Sequence, residues 1–109
     1  MTAPAYLVKW TETALEMMEA IADRRIRAQI VARVEELRRD PELAGKPLVG
    51  ELSGYRAIRA AGQRSRILYR VERWVVTIFI VAVGRHKEGD RKDISELARR
   101  LLRQRLLDR

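Results

Sequence analysis

The only histidine of the chain, His86, lies between two cations, Arg85 and Lys87, directly after the longest apolar run. An unperturbed imidazole titrates at about pH 6.5, so it can accept and donate a proton near neutrality. Phosphodiester cleavage in RNA needs a base for the 2′-OH, cations for the charged phosphorane and an acid for the departing 5′ oxygen. The residues around His86 suit that chemistry, although a lone histidine after a strand also serves as an ordinary structural residue.

A second set of cations lies in the β-prone residues that precede this run. Within residues 55–60, the alternation of a strand places Arg56 and Arg59 on opposite faces. In the next β-prone stretch, three arginines share a face: Arg64, Arg66 and Arg70. Arginines of neighbouring strands are therefore expected to line up on one side of a sheet. Because like charges across strands repel, this arrangement favours a binding surface over a solvated face.

The distribution of charge along the chain supports a binding role for the second half. The net charge is +8, from 23 basic and 15 acidic residues. Residues 1–52 carry a net charge of −1, residues 53–84 carry +5 and residues 85–109 carry +4. A field of one sign suits phosphates or an acidic partner.

Composition excludes several classes of protein. The chain has no cysteine and one histidine, so we expect no metal site and no cofactor. It carries no nucleotide-binding loop, nucleophile elbow or HExxH motif. With 109 residues it is predicted to form a single domain over residues 1–109. Its longest apolar run, Trp74 to Val83, is half the roughly 20 residues of a membrane span, and we expect a cytoplasmic protein with no membrane partner.

Hydrophobic periodicity predicts an α+β fold in the order β-α-α-β-β-β-α. Two amphipathic helices follow a first strand, with Asp23 as the N-cap of the second helix and Asp40-Pro41 as its end. Residues 41–54 have the composition of a loop. The last strand is apolar at both parities, which indicates a central strand covered on both faces of an antiparallel meander. The predicted strands are Ala5–Trp10, Tyr55–Ala60, Arg66–Val71 and Trp74–Val83, and a C-terminal helix begins at Ile94.

Two stretches of the sequence, "LSGYRAIRAAGQRSRILYRV" and "VVTIFIVAVGRHKEGDRKDISELARRLL", closely resemble the RelE/ParE superfamily of type II toxins, on its RelE-like side. The element order predicted above is also that of the family, so the resemblance covers nearly the whole chain. It implies a RelE-like fold and a toxin that cuts mRNA, typically in the ribosomal A site, without metal. It also implies an acidic antitoxin that wraps the toxin, in a higher-order complex, with mRNA and the ribosome as the other partners.

The resemblance also implies roles for individual residues. The catalytic set that it implies is His86, Arg66, Arg59 and Lys87. The RNA-binding set is Arg56, Arg64, Arg85 and Arg91. Many relatives read "DIYELA" where this chain reads "DISELA", so Ser95 occupies the position of a tyrosine often counted among the active-site residues.

Two alternatives to an mRNA interferase stay open on sequence grounds. ParE-like relatives share the fold and poison DNA gyrase without cutting RNA, so the fold alone does not decide the target. A weakened toxin that acts mainly by binding its antitoxin and by co-repression is the other alternative, and Ser95 favours both. The histidine and the set Arg56, Arg59 and Arg66 favour the nuclease.

Overall fold

The computed structural model describes residues 5–62, 64–85, 94–105 and 107. Within these ranges the chain forms a mixed α+β fold, in which a sheet of five strands carries helices on both faces. The strands are β1 (Leu7–Trp10), β2 (Lys46–Pro47), β3 (Arg56–Ala60), β4 (Ser65–Glu72) and β5 (Thr77–Arg85). The helices are α1 (Glu12–Ala20), α2 (Arg24–Leu37), α3 (Pro41–Ala44) and α4 (Ile94–Arg103).

The order of strands across the sheet is β1-β5-β4-β3-β2. The strands β3, β4 and β5 form the predicted antiparallel meander, and β1 pairs with β5 in parallel. The prediction that β5 is a central strand is confirmed, because it lies between β1 and β4 and is buried on both faces. Because both faces of β5 are covered, residues at its odd and even positions alike are apolar.

One face of the sheet, the core face, lies under α1 and α2. Ile58, Ile67, Tyr69 and Ile80 of the strands pack there against residues of the two helices that include Ile30. Both helices begin at side-chain caps, where Thr11 accepts a hydrogen bond from the Ala14 amide at 3.1 Å and Asp23 accepts one from the Arg25 amide at 2.8 Å. Such caps satisfy amide donors that the helix itself leaves without partners.

The opposite face is covered by α4. Leu68, Ala82 and Ile94 belong to a second buried cluster on this side, together with Ala57 and Ala98. Ile94 lies directly over Gly84, where an added Cβ would come within 3.1 Å of the Ile94 side chain. The start of α4 is therefore fixed above the end of β5.

Three details differ from the prediction. Residues 41–54 contain α3 and β2, which were predicted as loop, because helices and strands of two to four residues are too short to show periodicity. The last strand begins at Thr77 rather than at Trp74, since residues 73–75 form a 3₁₀ turn and Trp74 is 96% exposed. The second helix ends at Leu37, ahead of the predicted boundary at Asp40-Pro41.

Within the described parts of the chain, no helix is long and apolar enough to cross a bilayer.

Candidate functional site

Two arginines face each other across the sheet. Arg59 of β3 pairs with Arg66 of β4, on the side that α4 covers and that also carries Ala57 and Leu68. We call this side the arginine face. Arg59 is exposed and Arg66 is half-buried, so both guanidinium groups can meet a ligand from solvent. The predicted alignment of arginines on neighbouring strands is thus observed for this pair.

The end of β5 lies beside the same pair. Gly84 pairs with Arg66, and the exposed Arg85 pairs with Ser65. His86 is the next residue of the sequence, and it lies outside the described residues together with Lys87 and Arg91. Their predicted roles therefore stay predictions.

Arg59 and Arg66 line a cleft of about 470 Å³ at the β2 edge of the sheet. Of the described residues around this cleft, four are cationic and none is acidic. Such a concentration of one charge raises the local concentration of anions. The four cations come from helix α2 and strands β2, β3 and β4: Arg33, Lys46, Arg59 and Arg66.

Arg33 and Lys46 were absent from the predicted site. Lys46 pairs with Ala57 of β3, so its position lies on the arginine face next to Arg59. Arg33 reaches the edge of the sheet from α2 and donates a hydrogen bond from Nε to the Arg59 carbonyl at 3.1 Å. The sequence offers little signal for either residue, because Lys46 belongs to a two-residue strand and Arg33 is one of several arginines on a charged helix.

Arg56 lies on the core face, pairing with Tyr69. Its Nη2 donates to the Gly45 carbonyl at 2.6 Å, and the Tyr69 hydroxyl donates to the Pro41 carbonyl at 2.6 Å. Gly45 fits tightly here, since an added Cβ would approach the Ala57 carbonyl oxygen and the Tyr69 hydroxyl to 2.6 Å. The structure therefore separates Arg56 from the pair on the arginine face and joins it to the segment that carries Lys46.

Burial raises the pKa of the Tyr69 phenol above its ordinary value, and the neighbouring Arg56 guanidinium opposes that shift. A phenol that stays neutral keeps its proton for the bond to the Pro41 carbonyl. The network thus holds α3 and the start of β2 against the sheet, which fixes the wall of the cleft that Lys46 occupies.

The structure places three further predicted residues outside the lining of the cleft. Arg64 is exposed in the turn before β4, so it is not a member of the strand. Arg70 is on the arginine face, where its guanidinium carbon lies 4.2 Å from the Phe79 ring centroid and its Nη1 contacts Glu72 at 2.6 Å. Ser95 is half-buried in the first turn of α4, next to Ile94.

An ion pair connects α4 to the 3₁₀ turn over Gly50–Leu52. Arg103 donates from Nε and Nη2 to the two carboxylate oxygens of Glu51, at 2.7 and 2.5 Å. The hydrogen bond from Arg103 holds the pKa of the Glu51 carboxyl below its ordinary value. Both side chains are exposed, so this pair orients the helix more than it stabilises the fold.

Comparison with known families gives a match to the model of the ParE toxin of the type II toxin–antitoxin system parDE, over residues 8–89. The chain belongs to the RelE/ParE superfamily of type II toxin–antitoxin toxins. The superfamily expected from the sequence is thus confirmed. Comparison with curated protein sequences gave no match.

Solved structures include toxins of both branches. The RelBE2 toxin–antitoxin complex from Mycobacterium tuberculosis is 32% identical, with a TM-score of 0.67 over 78% of this toxin and 95% of that chain. The isolated E. coli RelE toxin is 23% identical, with a TM-score of 0.67 over 89% of this toxin and 99% of that chain. The chromosomal ParDE system of P. aeruginosa gives 23% identity and a TM-score of 0.62, over 76% and 98% of the two chains. The RelE-like fold predicted from the sequence is confirmed by these structures.

Proposed function

We propose that this toxin is an mRNA interferase, an endoribonuclease that cleaves mRNA on the ribosome and thereby inhibits translation. The observation that carries the proposal is the cationic cleft lined by Arg59 and Arg66, which pair across β3 and β4. Repulsion between paired like charges costs stability, so a pair kept on a sheet indicates an anionic ligand. The RNA backbone supplies such a ligand at every nucleotide.

The proposed mechanism divides the chemistry among the predicted residues. His86 removes the proton from the 2′-OH as the 2′ oxygen attacks phosphorus, and it returns a proton to the 5′ oxygen as the P–O5′ bond breaks. Arg66 stabilises the negative charge that develops on the phosphorane. Arg59 and Lys87 assist Arg66. The residues proposed to bind the RNA chain are Arg64, Arg85 and Arg91, while the bond from Arg56 to Gly45 supports an indirect role for Arg56 through the wall of the cleft.

The proposed partner is an acidic antitoxin, in a higher-order toxin–antitoxin complex. The net charge of +5 for residues 53–84 and +4 for residues 85–109 supports this proposal, as does the 32% identical structure, which is a toxin–antitoxin complex. Electrostatic steering should speed the encounter, so the association rate should fall as salt rises. An association rate that ionic strength leaves unchanged would argue against an acidic partner.

The test is to add the purified toxin to ribosomes that carry a defined mRNA and to map cuts by primer extension. We expect cleavage by the parent toxin and a rate lower by about 100-fold or more for His86→Ala, which removes proton transfer. A supercoiling assay with DNA gyrase runs beside it. Intact mRNA together with lost supercoiling would refute the nuclease and establish the gyrase inhibitor.

One observation favours that second candidate. The family model that matches the toxin describes ParE of the parDE system, rather than RelE. A non-nuclease inhibitor of DNA gyrase would use the cationic surface for a protein or DNA contact and would not need His86 as a proton carrier. The two assays therefore separate the candidates directly.

A further inference from the structure

We propose that Arg33 and Lys46 form a second phosphate subsite, which holds the RNA phosphate next to the scissile one. This inference rests on the proposed function, because it assigns a second contact to the same RNA chain. It concerns two residues from outside the strands that carry the predicted catalytic arginines.

The position of Lys46 extends the row of cations to the edge of the sheet. Lys46 pairs with Ala57, two residues before Arg59 on the same face of β3, and Arg59 pairs with Arg66. The three side chains therefore follow one another across β2, β3 and β4. An RNA chain bound at Arg66 that continues toward the open edge of the cleft must pass Arg59 and then Lys46.

Arg33 is oriented for this role by two hydrogen bonds. Its Nε donates to the Arg59 carbonyl at 3.1 Å, and its Nη1 contacts Glu36 Oε2 at 2.5 Å. These bonds use two of the five N–H donors of a guanidinium and fix its plane. The side chain is still 35% exposed. Its N–H donors on the cleft side can therefore form bidentate hydrogen bonds with a phosphate.

The rest of the lining favours a nucleotide over a bare anion. Pro47, Leu48 and Ala57 supply apolar surface within the same cleft as the cations. A nucleotide presents both kinds of surface, because its phosphate is charged and its ribose and base have apolar faces. The volume of about 470 Å³ lies within the roughly 300–1,000 Å³ usual for sites that hold a small ligand.

The test measures the affinity of the 109-residue toxin for a short single-stranded RNA whose 2′-OH at the cleavage site is replaced by hydrogen. Fluorescence anisotropy over a series of salt concentrations gives the slope of log Kd against log salt. Lys46→Gln and Arg33→Gln should each weaken binding and lower the slope, and the double variant should lower it by about 0.7, the value for one lost phosphate contact on a single strand. Lys46 is exposed, so its variant should fold even if loss of the bond to Arg59 destabilises the Arg33 variant.

The matched control is Arg39→Gln, which removes the same charge from an exposed position just beyond the end of α2, outside the lining of the cleft. It should leave the slope unchanged. A neutral methylphosphonate in place of the phosphate adjacent to the scissile one should weaken binding by the parent and abolish the difference between the parent and Lys46→Gln. This result would place the contact at that phosphate.

Three outcomes would overturn the subsite. Equal affinities and slopes for parent and variants would show that Arg33 and Lys46 do not touch RNA, whether or not the parent cleaves the all-ribose strand. A loss of affinity of the same size for Arg39→Gln would show that the effect comes from net charge and not from a local contact. Weakened binding of an Asp/Glu-rich peptide, with RNA binding unchanged, would assign the cleft to an acidic partner. RNA binding with the predicted slopes, together with intact mRNA in the ribosome assay described above, would instead refute the nuclease and keep the subsite.

Discussion

Two neighbouring cross-strand pairs of β3 and β4 have opposite characters. Ile58 pairs with Ile67 on the core face, where their exposed fractions are 4% and 0%. One residue further along, Arg59 pairs with Arg66 on the arginine face, and both keep contact with solvent. The first pair gains free energy from burial, while the second brings like charges together. The two faces of one sheet are thus built for different tasks.

This difference shows how one sheet combines a buried core with a charged surface. The core face packs against α1 and α2, and its buried cluster includes Ile67 and Tyr69. The arginine face is closed only in part by α4, which leaves the cleft at the β2 edge open. Substitutions on the core face should therefore change stability, and substitutions on the arginine face should change activity.

The largest expected effect on stability is that of Ile67→Ala. Truncation of this fully buried side chain leaves a cavity in the cluster on the core face, and the cost should be about 2–5 kcal/mol in the free energy of unfolding. Denaturant unfolding of the purified toxin measures it. Val75→Ala, at an exposed position, serves as the control and should cost little. If Ile67→Ala lowers the free energy of unfolding no more than Val75→Ala does, the distinction between the two faces is wrong.

Ser95→Tyr should raise activity on the side of the sheet that α4 covers, with little change in stability. A tyrosine at this half-buried position of α4 could stack on a base of the bound RNA, a contact worth roughly 1–3 kcal/mol. Single-turnover cleavage of ribosome-bound mRNA should become faster, and growth arrest on expression should increase, with stability little changed. Ser95→Phe is the matched control. It supplies the ring without the hydroxyl, so it separates stacking from any effect of the hydroxyl. Unchanged or slower cleavage by the tyrosine variant would mean that an aromatic ring here has no role in this toxin.

Tyr69→Phe tests the polar network on the core face. It removes the hydrogen bond to the Pro41 carbonyl, and a buried group left without its partner costs about 1–3 kcal/mol. Because the pKa of Tyr69 is raised in the folded state, the unfolded chain ionises first as pH rises past 10.0, so stability falls there. The free energy of unfolding of Tyr69→Phe should therefore fall less than that of the parent as pH rises past 10.0. Identical declines for parent and variant, measured by denaturant unfolding from neutral to alkaline pH, would contradict the assignment.

The parts of the fold that follow from local pattern were predictable. The apolar residues of β5 at both parities indicated a central strand, and Asp23 marked the start of α2 correctly. The turn at Trp74 was missed because its apolar residues continue the pattern of the strand although they are exposed. Apolar composition alone does not distinguish a strand from an exposed turn next to it.

The geometry of the candidate site was predictable only where it lies on regular strands. Alternation identified Arg59 and Arg66, because each strand fixes the direction of its side chains. Arg33 and Lys46 reach the same cleft through the packing of α2 and the pairing of β2, which depend on contacts between distant parts of the chain. Arg56 was grouped with the other arginines by type, although its strand position places it on the core face.

The most direct test of the account is Arg66→Ala, with cleavage and stability measured on the same preparation. Removal of one group that stabilises the charged transition state should lower the single-turnover rate of mRNA cleavage by about 10²–10³-fold. The free energy of unfolding should stay within about 0.5 kcal/mol of the parent, as for a substitution away from the core. A variant that cleaves as fast as the parent, or that loses activity only in proportion to a loss of folded protein, would contradict a catalytic arginine face.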